Sequence, residues 1–199
     1  MKNLFIDFSI DLIKKNCNYS EEQIEIIVYG LEGIYLTITK MIVLVSLAYI
    51  LGILKEFFLI LIFYNIIRFQ AFGIHASKSI YCLISSIIMF IGGAFICKYF
   101  YFPFWLSISI AIICDICLLL YAPADTSKRP IINKKKRIRF KIISFILGVI
   151  YTFIIIFFRD NFIINYLVIG MVEAVLMILP ITYKIFKLPY NNYKNYSGV

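Results

Sequence analysis

Apolar residues dominate this chain in long blocks separated by short polar interruptions. The blocks lie at about 34–54, 57–72, 80–97, 103–122, 141–158 and 162–183. A helix needs about 20 apolar residues to cross a hydrocarbon core, and most of the blocks meet that length. The second is the weakest, because Phe57 to Ile67 is a short run before Arg68; it either tilts, thins the bilayer locally or is re-entrant. The pattern differs ahead of the first block. Over residues 1–16, Asn3, Asp7, Asp11 and Lys14 recur every three or four positions, with Leu4, Phe5, Phe8 and Leu12 on other faces, which predicts an amphipathic helix lying on a membrane surface. Ser20-Glu21-Glu22-Gln23 then has the form of a capping box opening a helix that runs into the bilayer. The expected architecture is an all-α polytopic membrane protein: one integral domain over 1–199, about six transmembrane helices and an N-terminal surface helix.

Composition agrees. Hydrophobic residues make up 62% of the chain, with mean hydropathy +0.92, against about 45–50% in soluble domains. Asp7 and Asp11 interrupt the first apolar run and no small-residue cleavage site follows, so a cleaved signal peptide is not expected. Charge supplies the topology. With a cytoplasmic N-terminus and loops assigned alternately, Lys2, Lys14, Lys15, Arg68, Lys78, the basic residues from Lys128 to Lys141, Lys184, Lys187 and Lys194 fall inside. Only Lys55, Lys98 and Arg159 fall outside, and Lys40 lies within the first block. This positive-inside bias places both termini, the loop around His75 and a basic loop over 123–141 in the cytoplasm. Nucleic acid is a poor partner for a chain held mostly in lipid; the bilayer is the expected one. The 5 cysteines are an odd set scattered through apolar segments, which predicts free thiols. Cys114 and Cys117 have Cys-x-x-Cys spacing but no partner ligands, so packing thiols are expected, with no metal and no cofactor.

The candidate chemistry lies in Arg68-Phe69-Gln70-Ala71-Phe72-Gly73-Ile74-His75-Ala76-Ser77-Lys78-Ser79-Ile80-Tyr81-Cys82, a polar interruption holding the chain's only histidine. An imidazole takes a proton from a thiol near neutral pH, and the thiolate is a nucleophile. On one continuous helix, residues 75 and 82 would be about 10.5 Å apart along the axis, whereas proton transfer needs about 3 Å. A break is therefore expected. Gly73 supplies one, and Ser77 or Ser79 could cap a helix beginning just after the histidine. His75 then sits on a loop folded over the helix start. Cys82 lies in or near the first turn, where the helix dipole, assisted by Lys78, favours a thiolate. The bland alternatives are a packing cysteine and a solvated histidine.

Two motifs in this chain resemble the accessory gene regulator B (AgrB) family of membrane cysteine endopeptidases. The family pattern is an arginine, a glycine two residues before a histidine–alanine pair, and a cysteine seven beyond the histidine: here Arg68, Gly73, His75-Ala76 and Cys82. The second is Ala122-Pro123-Ala124-Asp125-Thr126-Ser127-Lys128-Arg129-Pro130-Ile131, similar to the family's Pro-Ala-Asp-x-x-x-x-Pro turn with its following basic tract. Phe72 departs from the pattern, since many members carry a second glycine there. The resemblance implies cleavage of a short AgrD-like precursor peptide in Gram-positive quorum sensing. Cys82 would be the nucleophile and His75 the general base and then acid. An acyl-enzyme thioester would be captured by a cysteine or serine within the precursor, closing a macrocycle.

Other groups are read against their plainer roles. Lys134, Lys135, Lys136 and Arg137, with Arg139 and Lys141, either anchor the topology on anionic lipid or dock an acidic precursor tail. Asp125 either orients His75 or holds its own turn. Arg68 either stabilises oxyanion charge or snorkels to headgroups. Lys40, Asp115 and Glu173 fall within spans, where ionisable groups are costly. Gly92-Gly93 permits close helix contact, which makes a homodimer a candidate assembly. The rival to an endopeptidase is a small multi-span transporter in which Lys40, Asp115 and Glu173 line a path and Cys82 is idle.

Overall fold

The computed structural model describes residues 20–74, 79–127, 130–159 and 161–196, together with Ile6, Phe8, Ile10 and Ile13, which are helical. The surface helix expected over 1–16 otherwise lies outside the described residues, as do His75, Lys78, Lys128 and Arg129. Packing divides the chain into two compact units, Met1–Leu47 and Ala48–Val199.

Helix α1, Glu21–Ile50, begins in the first unit and ends in the second. Its capping box forms as the sequence predicts: Gln23 N donates to Ser20 Oγ and Ser20 N to Gln23 Oε1, at 3.3 and 3.0 Å. It starts well before residue 34 because the cap, not the hydropathy, sets its beginning. Gly52, at φ +65°, turns the chain at its end.

The second unit is a helical bundle. Its elements are α2 (Leu54–Ala71), α3 (Ser79–Ser86), a π-helical turn (Ile87–Ile91), α4 (Gly92–Tyr99), α5 (Phe104–Tyr121), α6 (Lys134–Phe157), α7 (Ile163–Leu176), α8 (Pro180–Ile185) and a 3₁₀ turn (Asn192–Tyr196). Two boundaries differ from the hydropathy pattern. The basic tract from Lys134 is not loop: Asn133 accepts the Lys136 N–H through its side chain and caps α6 there. The last apolar block is broken at Met177–Leu179, where Pro180 begins a new short helix.

Among the described residues, four helical segments are long and apolar enough to cross a membrane, Ile26–Ile50, Ile80–Tyr99, Phe104–Tyr121 and Lys134–Phe157. The chain is a membrane protein. Helix α2 is 18 residues long but carries Lys55, Glu56 and Arg68, and α7 has 14 residues. These two sit at the centre of the bundle. Ile60, Ile67 and Ala71 of α2 and Leu167, Val168, Met171 and Ala174 of α7 are buried. They approach so closely that a Cβ on Gly170 would stand 2.9 Å from Phe63 Cβ and 3.0 Å from Tyr64 N. Tyr151 of α6 donates to Phe63 O at 3.1 Å, tying the outer helix to α2.

The loops of this unit gather at two ends. At one, Lys98 donates to Gly52 O at 2.8 Å, Lys55 lies over the Phe162 ring and Arg159 over the Phe104 ring. Asn165 holds the 100–102 loop there, donating to Phe100 O and accepting from Phe102 N. The other end holds the candidate site, at the far terminus of α2, about 27 Å away for 18 residues at 1.5 Å each.

Candidate active site

Helix α2 ends where Phe72 N donates to Arg68 O at 3.0 Å and Phe72 adopts φ 58°, ψ −134°. That backbone region favours glycine, which is the physical reason a second glycine suits this position. Phe72 is held there by its ring, which meets Phe140 of α6 edge-on at 4.9 Å. Gly73 follows at φ +114°, and a Cβ on it would collide with the Arg68 guanidinium and the Met177 carbonyl. Glycine is required there twice over, by backbone conformation and by space.

The chain leaving α2 is then fastened on three sides. Gly73 N donates to Ala124 O at 2.7 Å and Ala124 N to Ala71 O at 3.0 Å, an isolated parallel bridge between Phe72 and Ala124. Ile74 N donates to Met177 O at 3.0 Å, and Arg68 Nη2 donates to Ile74 O at 2.6 Å. The two motifs, some fifty residues apart, are thus knitted together one residue before His75. Because the Gly73 N–H is engaged by Ala124, it is not free to donate to an oxyanion.

His75 lies outside the described residues. Cys82 falls in the first turn of α3, which starts at Ser79, close to the expected helix start. Its side chain is half-buried, and its carbonyl accepts from Ser85 Oγ at 3.1 Å. Tyr64 lies one helical turn before Arg68 on α2, and its ring meets Phe90 edge-on at 5.0 Å, in the π-helical turn that follows α3.

Asp125, 2% exposed, is the fastener of this end. Its Oδ1 accepts from Asn192 N at 3.0 Å, and its Oδ2 from Tyr193 N at 2.8 Å and Ile131 N at 3.3 Å. Its carbonyl accepts from the Tyr183 hydroxyl at 2.9 Å. Arg137 stands 3.7 Å from Oδ2 and lies over the Tyr193 ring at 3.3 Å. Both oxygens thus hold the turn to the C-terminal segment and to α6. Burial pushes the neighbouring Tyr190 phenol above its ordinary value, the mark of a tail that packs. Arg137 is turned inward, whereas Lys134, Lys135 and Lys136 are exposed in the first turn of α6. Positive charge opposes the dipole there, so their role is outward.

The other singled-out groups lie apart. Asp115 accepts from Thr152 Oγ1 at 2.7 Å across α5 and α6, beside Gly148. Glu173 on α7 packs on Gly93, so that glycine's close contact is made within the chain, while Gly92 faces open space. Cys114 is buried, Cys117 half-buried and both are free. Among the described residues no group of His, Cys, Asp and Glu has metal-binding arrangement.

Sequence reasoning missed Met177, Tyr183, Asn192 and Tyr193. A signal existed only for the last two: the polar, aromatic run Tyr190-Asn191-Asn192-Tyr193 after an apolar segment. Met177 contributes through its carbonyl, which no side-chain pattern reveals.

Comparison with known proteins is consistent over most of the chain. A family model described as Accessory gene regulator B matches residues 6–179. An AgrB-like protein from Clostridium acetobutylicum is 32% identical over 187 residues, covering 93% of this chain and 90% of its own length. An AgrB-like protein from Listeria innocua is 29% identical over 169 residues, covering 85% and 83%. The accessory gene regulator protein B of Staphylococcus aureus is 32% identical over 181 residues, covering 89% and 94%. No solved structure matches.

Proposed function

The chain belongs to the accessory gene regulator B family, and from that premise we propose that it is a membrane-embedded cysteine endopeptidase of quorum-sensing peptide processing. The substrate is an AgrD-like precursor presented at the cytoplasmic face. His75 takes the proton of the Cys82 thiol, and the thiolate attacks a peptide carbonyl near the precursor's C-terminal side. As the tetrahedral intermediate collapses, the C–N bond breaks and His75 returns the proton to the leaving amine. The tail departs and a thioester remains. A cysteine or serine within the precursor attacks that thioester, the ring closes, and Cys82 recovers its proton. Holding the internal nucleophile close, with limited water, favours ring closure over hydrolysis.

The observation that carries this reading is the junction of the two motifs. The bridge between Phe72 and Ala124, with Ile74 held by Met177 and Arg68, fastens the chain as far as Ile74, the residue before His75. Cys82 stands in the first turn of the helix that follows. Six crossings with both termini cytoplasmic suit the distribution of charge. Lys55, Lys98 and Arg159 gather at one end of the bundle, and Arg68 and Lys134 to Arg137 belong to the other. The exposed Lys134, Lys135 and Lys136 dock the acidic tail of the precursor, and Arg137 keeps the turn beneath them in place.

The test is co-expression with the precursor peptide and mass spectrometry of the product. Wild type releases the tail, and Cys82→Ser and His75→Ala do not. Equal processing by all three, or none by any, rejects the assignment and favours a transporter.

A further inference from the structure

Asp125 is a buried carboxylate with no reacting role in the proposed chemistry, and most of what holds it comes from the far end of the chain. From its own loop only Ile131 N, among the described residues, reaches the carboxylate, at 3.3 Å. Asn192 N and Tyr193 N donate to Oδ1 and Oδ2 at 3.0 and 2.8 Å, and the Tyr183 hydroxyl donates to the Asp125 carbonyl at 2.9 Å. Asn192 and Tyr193 open a 3₁₀ turn, so the carboxylate takes up N–H groups that have no partner inside that turn. The segment is shaped to arrive there. Leu188 N donates back to Tyr183 O at 2.9 Å, Asn191 adopts φ 57°, and the Tyr190 ring meets Tyr183 edge-on at 5.0 Å. On its other side Asp125 is joined to Ala124, whose N–H donates to Ala71 O at 3.0 Å and whose carbonyl accepts from Gly73 N at 2.7 Å.

We propose that residues 189–196 are a strap for the active site: by holding Asp125 they hold Ala124, and through Ala124 the backbone of Gly73, two residues before His75. Tyr183, Asn192 and Tyr193 are its positioning residues. This rests on the endopeptidase reading above. The stretch after α7 thereby grips both sides of one junction. Met177 O takes Ile74 N at 3.0 Å, while Tyr183 and the 3₁₀ turn take Asp125. An isolated bridge such as that between Phe72 and Ala124 has no neighbouring ladder to keep it closed, so its persistence depends on what fixes its flanks. Without the strap, the buried Asp125 carboxylate would lose the Asn192 and Tyr193 donors, which favours opening of the turn to water.

The test compares the full chain with a chain ending at Leu188, both in lipid vesicles. Turnover of a synthetic precursor peptide is measured beside amide hydrogen exchange read by mass spectrometry. The shortened chain is expected to lose kcat about tenfold, and the amides of Gly73 and Ile74 to exchange about tenfold faster, while those of Phe104–Tyr121 keep their wild-type rate. A chain ending at Tyr196 keeps the strap and matches the full chain in both. Tyr183→Phe removes a single donor to Asp125; it lowers kcat about threefold and speeds the same two amides. That variant decides the matter if the shortened chain does not accumulate in the membrane. Wild-type turnover and exchange in both variants, with Cys82→Ser dead, overturn the strap and leave the endopeptidase standing. So does loss of kcat with exchange at Gly73 and Ile74 unchanged, faster exchange there with kcat intact, or exchange that quickens equally across Phe104–Tyr121, the mark of general loosening. Cleavage by Cys82→Ser at the wild-type rate overturns both.

Discussion

Helices α5 and α6 are long and apolar enough to span a membrane, whereas α2 carries Lys55, Glu56 and Arg68 and α7, though apolar, has only 14 residues, yet α2 and α7 occupy the centre. In α7 ten of 14 residues are buried; in α5 five of 18 are, at 107, 111, 114, 115 and 118, a single stripe. Helix α6 buries only Ser144, Gly148, Tyr151 and Ile155, again at helical spacing. The outer helices therefore spend most of their surface on lipid, which demands uninterrupted hydrophobicity. Helix α7 is shielded by protein and is free to be short and to carry Asn165 and Glu173; α2 turns Phe57, Ile60, Ile67 and Ala71 inward while Phe58, Ile62, Ile66 and Phe69 stay exposed. In this molecule length marks the wall, and a helix that is short or carries charge marks the place where polar groups are kept.

Substitutions sharpen that contrast. The largest effect is expected from Gly170→Val, which inserts a branched side chain between α2 and α7 where Phe63 and the Tyr64 backbone leave no room. Overpacking of this kind costs about 3 kcal/mol, read as loss of folded protein in a thermal melt in detergent. Gly73→Ala comes next. Strain at a positive φ costs about 1–3 kcal/mol, and the added methyl displaces Arg68 and Met177, so precursor cleavage is lost while the protein still inserts. In the outer pair the effects are smaller. Thr152→Val removes the hydrogen bond to Asp115, and an interhelical bond in a membrane is worth about 0.6 kcal/mol, a small downward shift of the same melt with cleavage intact. Gly92→Ala is expected to fall within about 0.5 kcal/mol of wild type, since nothing lies near its would-be Cβ. A melt in which Gly92→Ala matches Gly170→Val would break the inner–outer distinction.

The hydrophobic blocks were legible because lipid-facing helices announce themselves residue by residue: Phe104–Tyr121 lies within one residue of the expected 103–122 at each end. The capping box at Ser20 and the helix start just ahead of Cys82 were legible for the same local reason. The beginning of α6 at Lys134 was obscured because its first turns are charged, and the end of α7 because Met177–Leu179 is as apolar as the helix it interrupts. The candidate site was half legible. Residue type and spacing pointed to Arg68, Gly73, His75 and Cys82, but Asp125 looked like a local turn former, whereas its carboxylate is taken up by Asn192, Tyr193 and Ile131.

What the sequence by itself determined was therefore the membrane class, the order of the helices and the break at Gly73, because each depends on a residue and its near neighbours. Only the tertiary structure decided that the two motifs share one bridge, that a methionine carbonyl clamps Ile74, that the C-terminal segment closes over Asp125, and that Glu173 packs on Gly93. Those contacts join residues far apart in the chain through backbone atoms and helix crossings, and neither carries a signature in residue type or periodicity.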